Sequence, residues 1–139
     1  MIAGGFGPDV RTIDELLREV SPAVPVGSFS IGGFSDGASY ALSLGVANGG
    51  VFGSVLAFSP GFMTSSVRNG TPRCFVSHGV RDAVLPIDMC SRRLVPRLRR
   101  AGYDVVYREF DGPHEAPAAI AAEAVHWLGD TQSAAGMPA

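Results

Sequence analysis

Val26-Gly27-Ser28-Phe29-Ser30-Ile31-Gly32-Gly33-Phe34-Ser35-Asp36-Gly37-Ala38, continued by an Ala- and Leu-rich run to Ala47, is the stretch that decides the fold. Val26 to Ile31 is a short apolar run ending in Gly32-Gly33, and the run from Gly37 to Ala47 stops at Asn48-Gly49. Between them stands Gly33-Phe34-Ser35-Asp36-Gly37, a GxSxG. The order predicts a strand, a tight turn and a helix, with the serine at the turn. Such a turn lifts the hydroxyl clear of a sheet and strains the backbone at Ser35. It also brings its flanks so close that side chains at positions 33 and 37 are expected to clash. A helix N-terminus beneath the serine favours developing negative charge.

Outward from this unit the alternation continues. Val51 to Phe58 and Arg73 to Ser77 are β-rich, Pro86 to Ala101 is helical and capped by Gly102, Tyr103 to Phe110 alternates as a strand, and Ala116 to Leu128 closes as a helix. Upstream, Ile13, Leu16, Leu17 and Val20 give Asp9 to Val20 an amphipathic helical spacing that Pro22 and Pro25 end. Strands separated by helices predict an α/β fold, a short, mainly parallel sheet with helices on both faces. One domain is expected over residues 1–129, followed by a flexible tail over 130–139. Pro96 is expected to kink the helix Pro86 to Ala101 or to split it. Arg92, Arg93, Arg97, Arg99 and Arg100 lie in that helix opposite Leu94 and Leu98, which reads as a solvated face rather than an anion-binding patch.

Composition narrows the chemistry. The chain has 139 residues, 46% of them hydrophobic and 17% charged, enough for one core. Its formal charge of -2 supplies no general positive field for a phosphate backbone, so no nucleic-acid partner is expected. All 11 basic residues are arginine, which removes Schiff-base lysine chemistry, pyridoxal phosphate anchoring and the lysine of a phosphate-binding loop. Cys74 and Cys90 lack metal-site spacing and read as reduced core thiols. Neither a membrane span nor a secretory signal is legible, and a cytoplasmic location is the expectation.

A serine hydroxyl is a weak nucleophile at neutral pH and needs an imidazole base, itself held by a carboxylate. Of the three histidines, His126 falls inside a helix beside Trp127. His78 ends a strand, where a structural hydrogen bond suits it. His114, in Phe110-Asp111-Gly112-Pro113-His114-Glu115, follows the last strand at the carboxyl edge where open parallel sheets place their ligands, and is the expected base. Asp82 follows Arg73 to Ser77 onto the same edge and is the expected acid; Asp111 and Glu115 compete, but sit where turn or cap residues belong. The backbone N–H of Asp36 is the expected oxyanion donor. Phe58, Phe62 and Met63 are candidates to line an apolar acyl pocket, or else are ordinary core.

Three blocks, Gly32-Gly33-Phe34-Ser35-Asp36-Gly37-Ala38, Ser77-His78-Gly79-Val80-Arg81-Asp82-Ala83-Val84-Leu85-Pro86 and Asp111-Gly112-Pro113-His114, resemble those of the phospholipase/carboxylesterase family of α/β-hydrolases, in the family's order. The resemblance implies Ser35 as nucleophile, Asp82 as triad acid and His114 as base. It also implies a serine carboxylesterase acting on small, short-chain acyl esters with no metal or organic cofactor; thioesterase and lysophospholipase variants stay open. With only 34 residues before Ser35, the expected fold is a truncated α/β-hydrolase, lacking N-terminal strands and the loop that gives a second oxyanion donor. Gly4-Gly5-Phe6-Gly7 is the one substitute visible for that donor. The strand Val26 to Ile31 would then present an open edge, and a homodimer or higher homo-oligomer is expected to cover it. The opposing expectation is a non-catalytic part of a longer hydrolase that folds and associates only.

Overall fold

The structure, a computed structural model, describes residues 29–64 and 67–136. The expected helix Asp9 to Val20, the segment Gly4 to Gly7 and the start of the first strand at Val26 to Ser28 lie outside the described residues. Four strands, β1 (Phe29–Phe34), β2 (Phe52–Phe58), β3 (Arg73–Gly79) and β4 (Val105–Phe110), form one sheet in the order β1-β2-β3-β4, every pair parallel. Among the described residues three α-helices accompany them: α1 (Asp36–Ala47), α2 (Ser91–Arg100) and α3 (Ala118–Gly136).

Parallel neighbours need crossovers, and α1 joins β1 to β2 as α2 joins β3 to β4. Both steps run the same way across the sheet, so a common handedness sets both helices on one face. There Ala38, Ala41, Leu42 and Val46 of α1 and Leu94, Val95 and Leu98 of α2 bury against Val55, Ala57, Cys74 and Val76. The opposite face is covered by α3, where Ala124, Ile120, Trp127 and Leu128 meet Leu56, Phe58, Phe75 and Val106. β3 is buried from Cys74 to Gly79, as a central strand covered on both faces must be. Among the described residues β1 is one edge of the sheet. No described helix is long and apolar enough to cross a membrane.

Several boundaries differ from the sequence reading. The helical segment from Pro86 to Ala101, expected to be kinked or split at Pro96, is two pieces divided elsewhere, a 3-10 turn at Ile87–Met89 and then α2. The break falls at Cys90, with φ -117 and ψ -102, and α2 runs through Pro96 uninterrupted. Pro96 and Arg92, the residue whose carbonyl it leaves without a helical donor, are both exposed, so water can take that carbonyl. All five arginines of the stretch are exposed, as a solvated face requires, and Arg92 bonds Glu109 of β4 at 2.8 and 2.9 Å and Asp88 at 2.8 Å. Arg92, with a further hydrogen bond from Tyr107, holds the Glu109 carboxyl down at about 2. α3 continues to Gly136, past the Leu128 boundary expected.

Of its two expected roles, Phe58 takes that of core packing. It lies on the α3 side, its ring 6.3 Å from that of Phe75, while Met63 packs on the opposite cluster and Phe62 stands edge-on to Tyr40 of α1 at 5.6 Å. Phe58 is thus half-buried against the α3-side core, on the other face from Met63; Leu56 and Phe58, two apart on a strand, must face the same way.

Phe75 is fully buried and touches both Phe58 and Trp127, the latter at 5.7 Å. Phe75→Ala is expected to lower unfolding stability by about 3–5 kcal/mol, measured by urea denaturation, because the cavity would open between sheet and α3. A loss under about 1 kcal/mol would mean that α3 does not seal this face.

Candidate active site

The carboxyl ends of the strands bring the expected residues together. β1 ends at Phe34, paired with Phe58, and Ser35 follows as the N-cap of α1. Ser35 has φ 60 and ψ -121, a left-handed backbone that a residue with a Cβ rarely adopts. Its N–H donates to the Phe58 carbonyl at 2.9 Å, which locks the turn to the next strand. At Gly33 a Cβ would lie 2.4 Å from the Gly37 carbonyl group, so that position must be glycine for β1 and α1 to approach. The expected clash at Gly37 is absent: a Cβ there meets nothing within 4 Å. The tight contact is made on the backbone of Gly37, and its own side-chain direction points to open space.

A second close approach sets the histidine. At Gly79, the end of β3, a Cβ would stand 2.3 Å from the Pro113 carbonyl oxygen and 2.4 Å from that of Gly112. The amides of Val80 and Arg81 donate to the carbonyls of Phe110 and Gly112 at 2.9 and 3.0 Å. The loop before His114 is thereby laid across the start of the loop that carries Asp82. His114 Nε2 lies 3.0 Å from Ser35 Oγ, and His114 Nδ1 lies 2.6 Å from Asp82 Oδ2. The Phe34 ring is tilted over the imidazole at 4.8 Å.

The Asp82 side chain is fully buried, and its other oxygen, Oδ1, accepts the amides of Val84 at 2.9 Å and Leu85 at 2.7 Å. Burial alone would raise the carboxyl pKa. The Leu85 amide, His114 and the Val84 amide together outweigh it and hold Asp82 below the usual carboxylate value. The competing acids are turned elsewhere. Asp111 pairs with Arg81 at 3.2 Å on the surface, and Glu115 is exposed while its carbonyl accepts from Ser59 Oγ at 3.3 Å. His126 is exposed on α3. His78 is fully buried, with Nδ1 2.7 Å from Ser91 Oγ and Nε2 2.7 Å from the Leu85 carbonyl, the structural hydrogen bonding its place on the strand suggested. Asp36, the first residue of α1, has an amide with no partner inside the helix by its position, as an anion site there requires. Among the described residues no cluster of three or more His, Cys, Asp and Glu side chains is placed to hold a metal ion.

Sequence reasoning passed over two serines. Ser39 and Ser43, one turn apart on α1, are fully buried. Ser39 Oγ accepts the amides of Gly61 at 2.9 Å and Phe62 at 3.1 Å, and Ser43 Oγ accepts that of Thr64 at 2.9 Å. The segment after β2 is thus clamped to the helix that presents Ser35. Ser59, also left-handed at φ 57, donates its N–H to the Ser77 carbonyl at 2.7 Å and starts that segment. The signal was available: serines four apart among Ala and Leu in a helix with no polar face have to be bonding inward.

No protein-family model matches the chain, and no curated protein matches it. Among solved structures it is similar to esterase PE8 (TM-score 0.75, 22% identity, 86% of this chain and 59% of that one). It is also similar to the carboxylesterase of Bacillus cereus (TM-score 0.72, 17% identity, 91% and 64%). A third is MGS-M1, an α/β-hydrolase enzyme from a Medee basin deep-sea metagenome library (TM-score 0.61, 24% identity, 77% and 49%). The chain spans less than two thirds of the length of each. The protein has the α/β-hydrolase fold, represented among the described residues by four parallel strands with helices on both faces.

Two outcomes follow from this geometry. Ser39→Ala leaves the amides of Gly61 and Phe62 without their acceptor and is expected to cost about 1–3 kcal/mol in denaturant unfolding, whereas an unchanged midpoint would show that water replaces the clamp. Asp82 is depressed in the folded chain, so its stabilisation is complete above its unfolded value and is lost as pH falls through the lower folded value. The gap in melting temperature between the wild type and Asp82→Asn is therefore expected to be widest near neutrality and to close below about pH 4. A gap independent of pH would show that the ionised carboxylate is not what stabilises the loop.

Proposed function

We propose that the protein is a serine carboxylesterase that hydrolyses short-chain acyl esters through Ser35, His114 and Asp82. The observation that carries this is the continuous line of contacts from Ser35 Oγ through the His114 ring to Asp82, at 3.0 and 2.6 Å, with the serine on a strained turn at a helix N-terminus. In this reading His114 Nε2 takes the Ser35 proton as Oγ attacks the ester carbonyl. Asp82 accepts from Nδ1–H, fixes the tautomer that leaves Nε2 free, and balances the imidazolium that forms. The tetrahedral oxyanion is met by the Asp36 amide and the N-terminal end of α1. As the C–O bond to the alcohol breaks, His114 returns the proton to the leaving oxygen. Water, deprotonated by the same nitrogen, then releases the acid and restores Ser35. The similarity to two esterases and to an α/β-hydrolase enzyme supports the same class.

Release of nitrophenol from nitrophenyl acetate and longer esters, compared with Ser35→Ala, tests the reading. Turnover is expected to fall by at least about 10³-fold in Ser35→Ala and in His114→Ala, and by about 10²- to 10⁴-fold in Asp82→Asn. Hydrolysis equal to buffer for the wild type as well would overturn it, and would favour a hydrolase segment that folds without turning over.

A further inference from the structure

Behind the candidate site lies a second histidine that the mechanism above does not use. His78 is the penultimate residue of β3 with no solvent exposure, and every polar atom of its ring is engaged. Nδ1 faces Ser91 Oγ of α2 at 2.7 Å; Nε2 faces the Leu85 carbonyl at 2.7 Å and Asp82 Oδ2 at 3.2 Å. Both groups at Nε2 are acceptors, so this nitrogen carries a hydrogen and donates, mainly to the nearer carbonyl.

We propose that His78 is a positioning residue for the Asp82 carboxylate. Resting on the reading of Ser35, His114 and Asp82 just given, the inference assigns His78 the task of keeping Oδ2 aligned on His114 Nδ1. Two amides on Oδ1 pin one oxygen, yet leave the plane of the group free to swing about it. His78 removes that freedom from both ends. It holds the carbonyl of Leu85, the residue whose amide is the shorter of the two on Oδ1, and its own N–H stands against Oδ2 beside His114. Ser91, at the start of α2 immediately after the break at Cys90, orients the ring. The chain of contacts therefore anchors the carboxylate to α2 as well as to its own loop. Since a displacement of about 1 Å in a reacting group costs about 10²-fold, this anchoring bears on rate. His78 touches neither substrate nor the reacting oxygen, so its effect belongs to kcat and not to KM.

The test measures nitrophenyl ester kinetics for His78→Leu, His78→Gln and Ser91→Ala alongside Ser35→Ala, with the proton resonance of the His114–Asp82 hydrogen bond as a second readout. His78→Leu is expected to lower kcat by about 10- to 100-fold with KM little changed, and to broaden or shift that resonance. His78→Gln, whose amide nitrogen reaches the Nε2 position, is expected to recover most of the rate and the resonance. Ser91→Ala removes only the partner of Nδ1 and is expected to lower kcat by about 3- to 10-fold; it decides the matter should His78→Leu fail to fold. The proposal is overturned by equal losses in the Leu and Gln variants, by a loss confined to KM, or by an unchanged kcat in Ser91→Ala together with an unmoved resonance. Those results with Ser35→Ala inactive would sink the role of His78 alone. A fully active Ser35→Ala would remove the underlying reading and this one with it.

Discussion

Everything at the carboxyl edge of the sheet depends on two places where backbones touch without a side chain between them. At Gly33 the strand β1 passes against the first turn of α1, and at Gly79 the end of β3 passes against the carbonyls of Gly112 and Pro113. The first contact turns the chain sharply enough to hold Ser35 in a left-handed conformation, its amide tied to Phe58. The second brings a loop more than thirty residues away in sequence across the loop of Asp82, so that one imidazole spans from carboxylate to hydroxyl. A methyl group at either position would separate elements whose alignment is fixed to tenths of an ångström.

Strain at Ser35 has to be met by stability elsewhere, and the packing shows where. The two faces of the sheet are covered by different helices, with α1 and α2 on one side and α3 on the other, and β3 runs buried between them. Serines do for the polar backbone what Ala, Leu and Val do for the apolar surface. Ser39 and Ser43 take up amides of the segment after β2, and Ser59 ties that segment to β3 and to Glu115 beyond His114. Ser91 completes His78. Each closes a hydrogen bond that an irregular loop would otherwise leave unmade in a partly buried place.

Much of this was legible in the sequence, for identifiable reasons. Parallel strands buried on both faces read as apolar runs, so β2 and β3 were visible, the edge strand β4 showed as an alternating run, and GxSxG between a strand and an Ala-rich helix marked Ser35. Asp82 and His114 followed from their places after β3 and β4. What stayed hidden was set by tertiary partners. The break at Cys90 has no local signature, whereas Pro96, which has one, lies where exposed backbone tolerates it. Gly37 looked like a steric requirement and instead contributes backbone to the contact at Gly33. Phe58 was a different case: strand alternation with Leu56 already places it under α3.

The central claim is that Ser35 is an activated nucleophile and not a turn serine. A phosphonylating reagent such as a fluorophosphonate tests it without choosing a substrate, since it asks only whether Oγ attacks an electrophile and on which residue the adduct is found. Mass spectrometry after stoichiometric treatment is predicted to place one adduct per chain on Ser35, leaving Ser39, Ser43 and Ser59 unmodified, with the rate of modification lost in His114→Ala. An unmodified chain, or modification of Ser35 at the same rate without His114, would contradict the account.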